Sequence, residues 1–301
     1  MSPHLLVPVS RRRFLVGGGA LAGAVLLGAC SSDDDDGSAS TTTQASSADL
    51  ALAQFFGGPP MLTAGREIRA PFGLADAQAL LPTEDTPEVL TVSILDAAGE
   101  VVVEPVEVQR HAKGLPRAYF PLRFTVDEPG IYTGRTEIDG ESLEMAIQVD
   151  AAEDVLAIQV GERLPSMATP TTADAHGVDP ICTNDPMCSL HDVTLTEALG
   201  DASPVALLVS TPKFCQVSIC GPVLDVLLKV AADYPSVRSL HMEVYAHPDE
   251  EIDTKAPVVD ALGLTFEPCL ILAGADGKVV ERLDTIFDED EVSDALAKLA
   301  S

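Results

Sequence analysis

The chain has 301 residues, 47 of them acidic and 18 basic, for a formal charge of −29. Such an excess of carboxylates keeps a protein soluble and repels polyanions, which argues against nucleic acid or an anionic membrane surface as a partner. Tryptophan is absent and aromatic residues make up only 4%, so any core must rest on Val, Leu, Ile and Ala.

The chain opens with Ser10-Arg11-Arg12-Arg13-Phe14-Leu15, an apolar, glycine-rich run from Val16 to Leu27, and then Gly28-Ala29-Cys30. This is the basic, apolar and small-residue order of a signal peptide. The apolar run is about a dozen residues, short of the roughly 20 that span a bilayer as a helix. A permanent membrane helix is therefore not expected. The arginine pair followed by Phe-Leu resembles a twin-arginine export signal, with Val16 where many such signals have lysine, and Leu27-Gly-Ala-Cys30 resembles a bacterial lipobox. The resemblance implies removal of residues 1–29, lipidation of Cys30, and a chain lipid-anchored to the extracytoplasmic face of the cell membrane. Removing residues 1–29 deletes three arginines and no acid, taking the formal charge from −29 to −32. Residues 30–49, with the Asp33–Asp36 run and many Ser and Thr, read as a flexible spacer.

Residues 50–150 alternate apolar stretches with turn signals: Glu67–Leu74, Val89–Leu95, Val101–Gln109, Ala118–Val126, Ile131–Ile138 and Ser142–Val149. Ala97-Ala-Gly99 and Asp139-Gly140 mark hairpin turns, and the strand spacing predicts an all-β sandwich. Phe124-Thr-Val-Asp-Glu-Pro-Gly-Ile-Tyr132 resembles the corner of immunoglobulin-like domains, which implies an immunoglobulin-like sandwich serving as a spacer or docking module. His111, the only histidine of this region, is expected at the surface.

Residues 151–190, with Pro165, Pro170 and Pro180, read as a connector. At its end, Cys182-Thr-Asn-Asp-Pro-Met-Cys188 closes a tight loop, and a structural Cys182–Cys188 disulfide is expected in an oxidising compartment. His191 lies close by, but one histidine and two cysteines do not complete a tetrahedral zinc set. Neither a metal nor a cofactor is expected.

In residues 191–301, Pro204–Ser210 is an apolar run of the kind that forms a strand buried on both faces. Val223, Val226, Leu227, Val230 and Tyr234 have helical spacing, and Val237–Ala246 reads as a second strand. Leu270–Ala273 and Lys278–Leu283 flank the Asp276-Gly277 turn, and a last helix carries Asp288 and Glu291 in capping-box positions. This order predicts an α/β layer.

Cys220-Gly-Pro222 opening a helix after an apolar strand, with Gly263-Leu-Thr-Phe-Glu-Pro268 preceding a later strand, resembles the thioredoxin family. Val223 stands where that family has its second cysteine, and Cys215 offers an upstream substitute. The resemblance implies a multi-domain chain, an immunoglobulin-like sandwich followed by a thioredoxin-like fold, with thiol–disulfide oxidoreductase activity. A thiol at a helix N-terminus is favoured as thiolate, so Cys220 is expected to attack and Cys215 to resolve. Pro268 is expected to be cis, setting the Glu267 backbone against the sulfurs to pair with substrate. The expected partners are exported cysteine-containing proteins and a membrane electron donor. Two rival readings are a non-catalytic scaffold lipoprotein with stable disulfides, and a copper-handling protein using Cys215, Cys220 and His247. Cys269 reads as a small core residue, and Lys213 as a solvated loop residue.

Overall fold

The computed structural model describes residues 50–56, 60–248 and 251–300. Cys30 and the export segment lie outside the described residues. Residues 44–301 belong to one compact unit. No helix among the described residues is long and apolar enough to cross a membrane.

The first half is all strand: β1 (Ala51–Gln54), β2 (Glu67–Ala75), β3 (Val89–Leu95), β4 (Val101–Gln109), β5 (Phe120–Thr125), β6 (Gly130–Ile138) and β7 (Glu141–Val149). They form two antiparallel sheets, ordered β1-β2-β5 and β4-β3-β6-β7. Strand β7 shows why: Leu143, Met145, Ile147 and Val149 are buried while the residues between them are exposed, the period-two pattern of a sheet with one dry face. Asp139 and Gly140 join β6 to β7 with φ of 54° and 83°, as a primed hairpin turn requires. The Tyr132 hydroxyl donates to the Glu128 carbonyl at 2.8 Å, pinning the corner before β6. The short β1 carries little periodicity and is not evident from the sequence.

The second half runs α1 (Leu195–Gly200), β8 (Val205–Val209), α2 (Cys220–Ala231), β9 (Arg238–Met242), β10 (Tyr245–His247), β11 (Glu251–Lys255), α3 (Pro257–Ala261), β12 (Cys269–Ala273), β13 (Val279–Asp284) and α4 (Glu289–Ala300). Its main sheet is ordered β13-β12-β8-β9, with β8 parallel to β9 and β12 antiparallel to both of its neighbours. Strand β8 is buried at every position, and its alternating side chains feed two cores. Ala206 and Leu208 face α2 and α4, where Leu224, Leu227 and Leu296 pack. Val205, Leu207 and Val209 face the other way, onto α1, α3 and the connector.

That second core corrects the reading of residues 151–190 as mere connector. Val155, Ala157, Ile158, Leu164 and Val178 are buried in it, so irregular chain covers a sheet face that would otherwise be wet. Val237–Ala246 is likewise not one strand. It ends at Met242, and β10 turns away to pair with β11. At the break the buried Glu243 carboxylate accepts from the Thr183 backbone N–H and hydroxyl, both at 2.6 Å.

The sandwich does not stand off as a spacer. Arg69 of β2 makes a two-pronged ion pair with Glu291 of α4 and donates to the carbonyls of Asp284 and Ile286. Arg123 of β5 reaches both Glu281 and Glu291. His111, expected at the surface, instead bonds Asp288 at 2.9 Å. Asp288 caps α4 as anticipated, accepting from the Glu291 N–H at 3.0 Å. The reciprocal half of the box is absent, because the Glu291 carboxylate is drawn to Arg69 and Tyr119. The hydroxyl of Tyr119, from the sandwich side, accepts the Asp288 N–H in its place. One helix start is thus capped from both halves of the chain.

Candidate active site

Strand β8 ends at Val209, and residues 210–219 loop over the sheet edge to the start of α2. The first residue of α2 is Cys220, fully buried, and Cys215 lies half-buried on the loop. Ile219, the residue before α2, gives the helix no side-chain cap. The Cys215 sulfur takes that place: the Cys220 N–H points at it, 3.4 Å away. The chain reverses through Ser218, at φ 56°, with its N–H bonded to the Cys215 carbonyl at 3.3 Å.

The sulfurs of Cys215 and Cys220 and a Glu267 carboxylate oxygen all lie within 4.8 Å of one another. The Cys215 thiol is held down to about 5 by the hydrogen bond from Cys220, helped by the N–H groups of Cys220, Ile219 and Val217. Donors converging at a helix start stabilise an anion. Cys220 moves the opposite way, above the ordinary thiol range, because it donates to Cys215 and is buried. The helix-start argument made for Cys220 therefore benefits Cys215. Burial agrees, since a fully buried sulfur cannot meet a protein substrate first. The expected order, Cys220 attacking and Cys215 resolving, runs against both observations.

Glu267 was expected to contribute its backbone, and its peptide bond to Pro268 is cis. Its side chain is the feature that sequence reasoning missed. Burial, then the neighbouring Cys215 and Glu243, push the carboxyl up to about 8, and Oε2 is buried with no hydrogen-bond partner. A carboxylic acid protonated at neutral pH thus sits beside the thiol pair. Nothing in the local sequence separates this glutamate from a surface one.

A cleft of about 1120 Å³ opens here, lined by Gln216–Ile219 and Glu267 together with Phe55, Phe56, Leu80 and Pro116 of the first half. Val217, among its lining residues, is 72% exposed. Phe266, also in the cleft lining, packs against both the sandwich core and the second-half core.

The other candidates fall elsewhere. Cys269 is fully buried in β12 and donates to Asp284 at 3.0 Å, a core position as expected. His247 lies on β10 and is not grouped with Cys215 and Cys220. The Lys213 ammonium lies over the Phe214 ring at 5.0 Å. Cys182 and Cys188 are buried side by side, and with them are His191 and, unexpectedly, His241 of β9.

No protein-family model matches the chain, and no curated protein matches it. Among solved structures, MTB DsbF, in mixed oxidised and reduced forms, is similar at 21% identity and a TM-score of 0.30, over 36% of this chain and 88% of that one. A conjugative transposon lipoprotein from Bacteroides eggerthii is similar at 14% identity and a TM-score of 0.21, over 34% of this chain and 97% of that one.

Proposed function

We propose that the chain is a thiol–disulfide oxidoreductase of thioredoxin-like type, tethered through lipid on Cys30 to the extracytoplasmic face of the membrane, with an immunoglobulin-like sandwich walling its substrate cleft. The observation that carries this reading is the pairing of a half-exposed, low-pKa Cys215 with a buried, high-pKa Cys220, beside an acid poised near neutrality. Inert core thiols have neither the exposure nor the polarisation.

In the reductive direction, the Cys215 thiolate attacks one sulfur of a client disulfide. A Cys215–client bond forms, the client S–S bond breaks, and the departing thiolate takes the Glu267 proton. The Glu267 carboxylate then accepts the Cys220 proton as Cys220 attacks the Cys215 sulfur. The second client thiolate leaves and is protonated from water, so two electrons have passed to the client and Cys215–Cys220 is a disulfide. A stabilised Cys215 thiolate makes that disulfide easy to reduce, so client reduction proceeds only while a membrane electron donor resets the pair, and without one the same steps run in reverse as oxidation of client dithiols. The clients are exported cysteine-containing proteins whose apolar segments fill the cleft beside Val217.

Trapping tests the reading. Cys220→Ser retains the attacker without the resolver and is expected to accumulate mixed disulfides through Cys215 on exported proteins, whereas Cys215→Ser is expected to trap none. Equal trapping by both variants, or by neither, sinks it.

A further inference from the structure

The Cys182–Cys188 loop packs against the end of β9, and the expected disulfide does not account for what surrounds it. Cys182, Cys188, His191 and His241 are all buried, and one ligand atom from each lies within 4.8 Å of the others. The Cys188 sulfur is 3.1 Å from His191 Nε2 and 3.5 Å from His241 Nδ1. The Cys182 sulfur is 3.7 Å from the same His241 nitrogen. We propose that these four side chains form a closed tetrahedral zinc site.

The distances fit the ion. Zinc bonds of about 2.3 Å to sulfur and about 2.0 Å to nitrogen, set tetrahedrally, separate sulfur from nitrogen by about 3.5 Å. Charge fits as well: two thiolates and two neutral imidazoles around a divalent cation sum to zero, the arrangement a dry interior tolerates best. The chemistry of the set is selective, since tetrahedral S2N2 coordination favours zinc over harder cations.

The second shell is already in place around His241. Its Nε2 lies 2.9 Å from the Ser210 hydroxyl and 3.2 Å from the Ser210 carbonyl. A proton held on Nε2 by that carbonyl leaves the Nδ1 lone pair facing the sulfurs. His191 is buried and turns its Nε2 to the Cys188 sulfur, with its ring edge-on to that of His241 at 5.3 Å. Both imidazoles thus present a ring nitrogen to the same sulfur.

Four protein ligands leave no open position, so the ion holds structure rather than performing chemistry. It fastens residues 182–191 to β9 and, through Ser210, to the root of the Cys215 loop. This site is independent of the thiol-exchange reading and replaces the disulfide expected between Cys182 and Cys188.

The test uses the full chain, purified without chelator and reduced. Elemental analysis is expected to find about one zinc per chain, retained in Cys215→Ser and Cys220→Ser and lost in Cys188→Ser and His241→Ala. Cobalt substitution of the unaltered chain gives a second measurement that does not depend on the buried variants folding. Intense visible bands of tetrahedral cobalt with sulfur-to-metal charge transfer are expected. Failure of the reduced chain to take up zinc or cobalt, a weak octahedral cobalt spectrum, or zinc lost with Cys215 and Cys220 instead would each overturn the proposal.

Discussion

If the Cys215 thiol ionises at about 5 rather than at the ordinary 9.0, its reactivity toward iodoacetamide has a predictable shape with pH. At pH 7 the thiolate fraction rises from roughly 1% to roughly 99%, a hundredfold gain. Intrinsic nucleophilicity falls with pKa at a Brønsted slope of about 0.4–0.5, so four units cost roughly 60-fold. The two effects nearly cancel at pH 7, where a bare rate says little. At pH 5.5 the thiolate fractions differ by roughly 2400-fold, leaving a net advantage of roughly 40-fold over an ordinary thiol. The assay is the alkylation rate of Cys215 in the reduced protein from pH 4 to 10, read by peptide mass so that the buried cysteines are distinguished. The hydrogen bond from Cys220 is the largest cause of the shift, so Cys220→Ala is expected to raise the midpoint by about a unit or more. Cys220→Ser keeps a donor and moves it less. A Cys215 midpoint near 9, or first labelling at Cys220, refutes the assignment of roles.

Three further outcomes follow from the same geometry. Glu267 is protonated below about 8, so a step that uses it as acid slows as pH rises through 8; Glu267→Gln should lose that limb and slow exchange by roughly 10², and an unchanged pH profile would remove it from the mechanism. Gly263 has φ 63°, and a β-carbon there would sit 2.1 Å from the Leu156 carbonyl oxygen; Gly263→Ala should cost more than about 2 kcal/mol in urea unfolding, and an unmoved midpoint contradicts this. Against a burial that would raise it, Glu291 is held down to about 2 by Arg69, Tyr119 and Arg123. A depressed carboxyl stabilises above its unfolded value of 4.5 and loses that contribution as pH falls toward 2, here about 3 kcal/mol. Unfolding at pH 6 and pH 3 should show about 2 kcal/mol of that loss in the unaltered protein and none of it in Glu291→Gln, which is weaker by about 3–5 kcal/mol at pH 6 because Arg69 is left buried and unpaired, and by correspondingly less at pH 3.

The strands were legible wherever burial follows the backbone period. Val89–Leu95 stands where the alternation puts it, and the uninterrupted apolar run at Val205–Val209 lies inside its sheet. Short elements that owe their form to tertiary contact were not. α3 has five residues and starts at Pro257, too little for a period to declare itself. The thiol pair was legible as a pair because its spacing and the helix start are local features. Its polarity was not, since that depends on which sulfur the loop leaves above the helix and which it buries. Glu267 and His241 escaped for one reason: each acquires its role from residues more than 20 positions away, and no local pattern marks a carboxyl that will be desolvated or an imidazole that will meet two sulfurs.

The contacts between the two halves give the sandwich a place in the chemistry. A buried ion pair such as Arg69–Glu291 adds little net stability over apolar packing, but it is demanding in geometry. Two guanidinium prongs, the Tyr119 hydroxyl and the Asp288 cap are satisfied together only in one relative setting of β2, β5 and the start of α4. Phe55, Phe56 and Leu80 line the cleft together with Gln216–Ile219, so the network that sets the two halves against each other also sets the cleft between them. If the chain exchanges disulfides as proposed, the sandwich acts as a specificity element, held in register by a network whose worth lies in orientation.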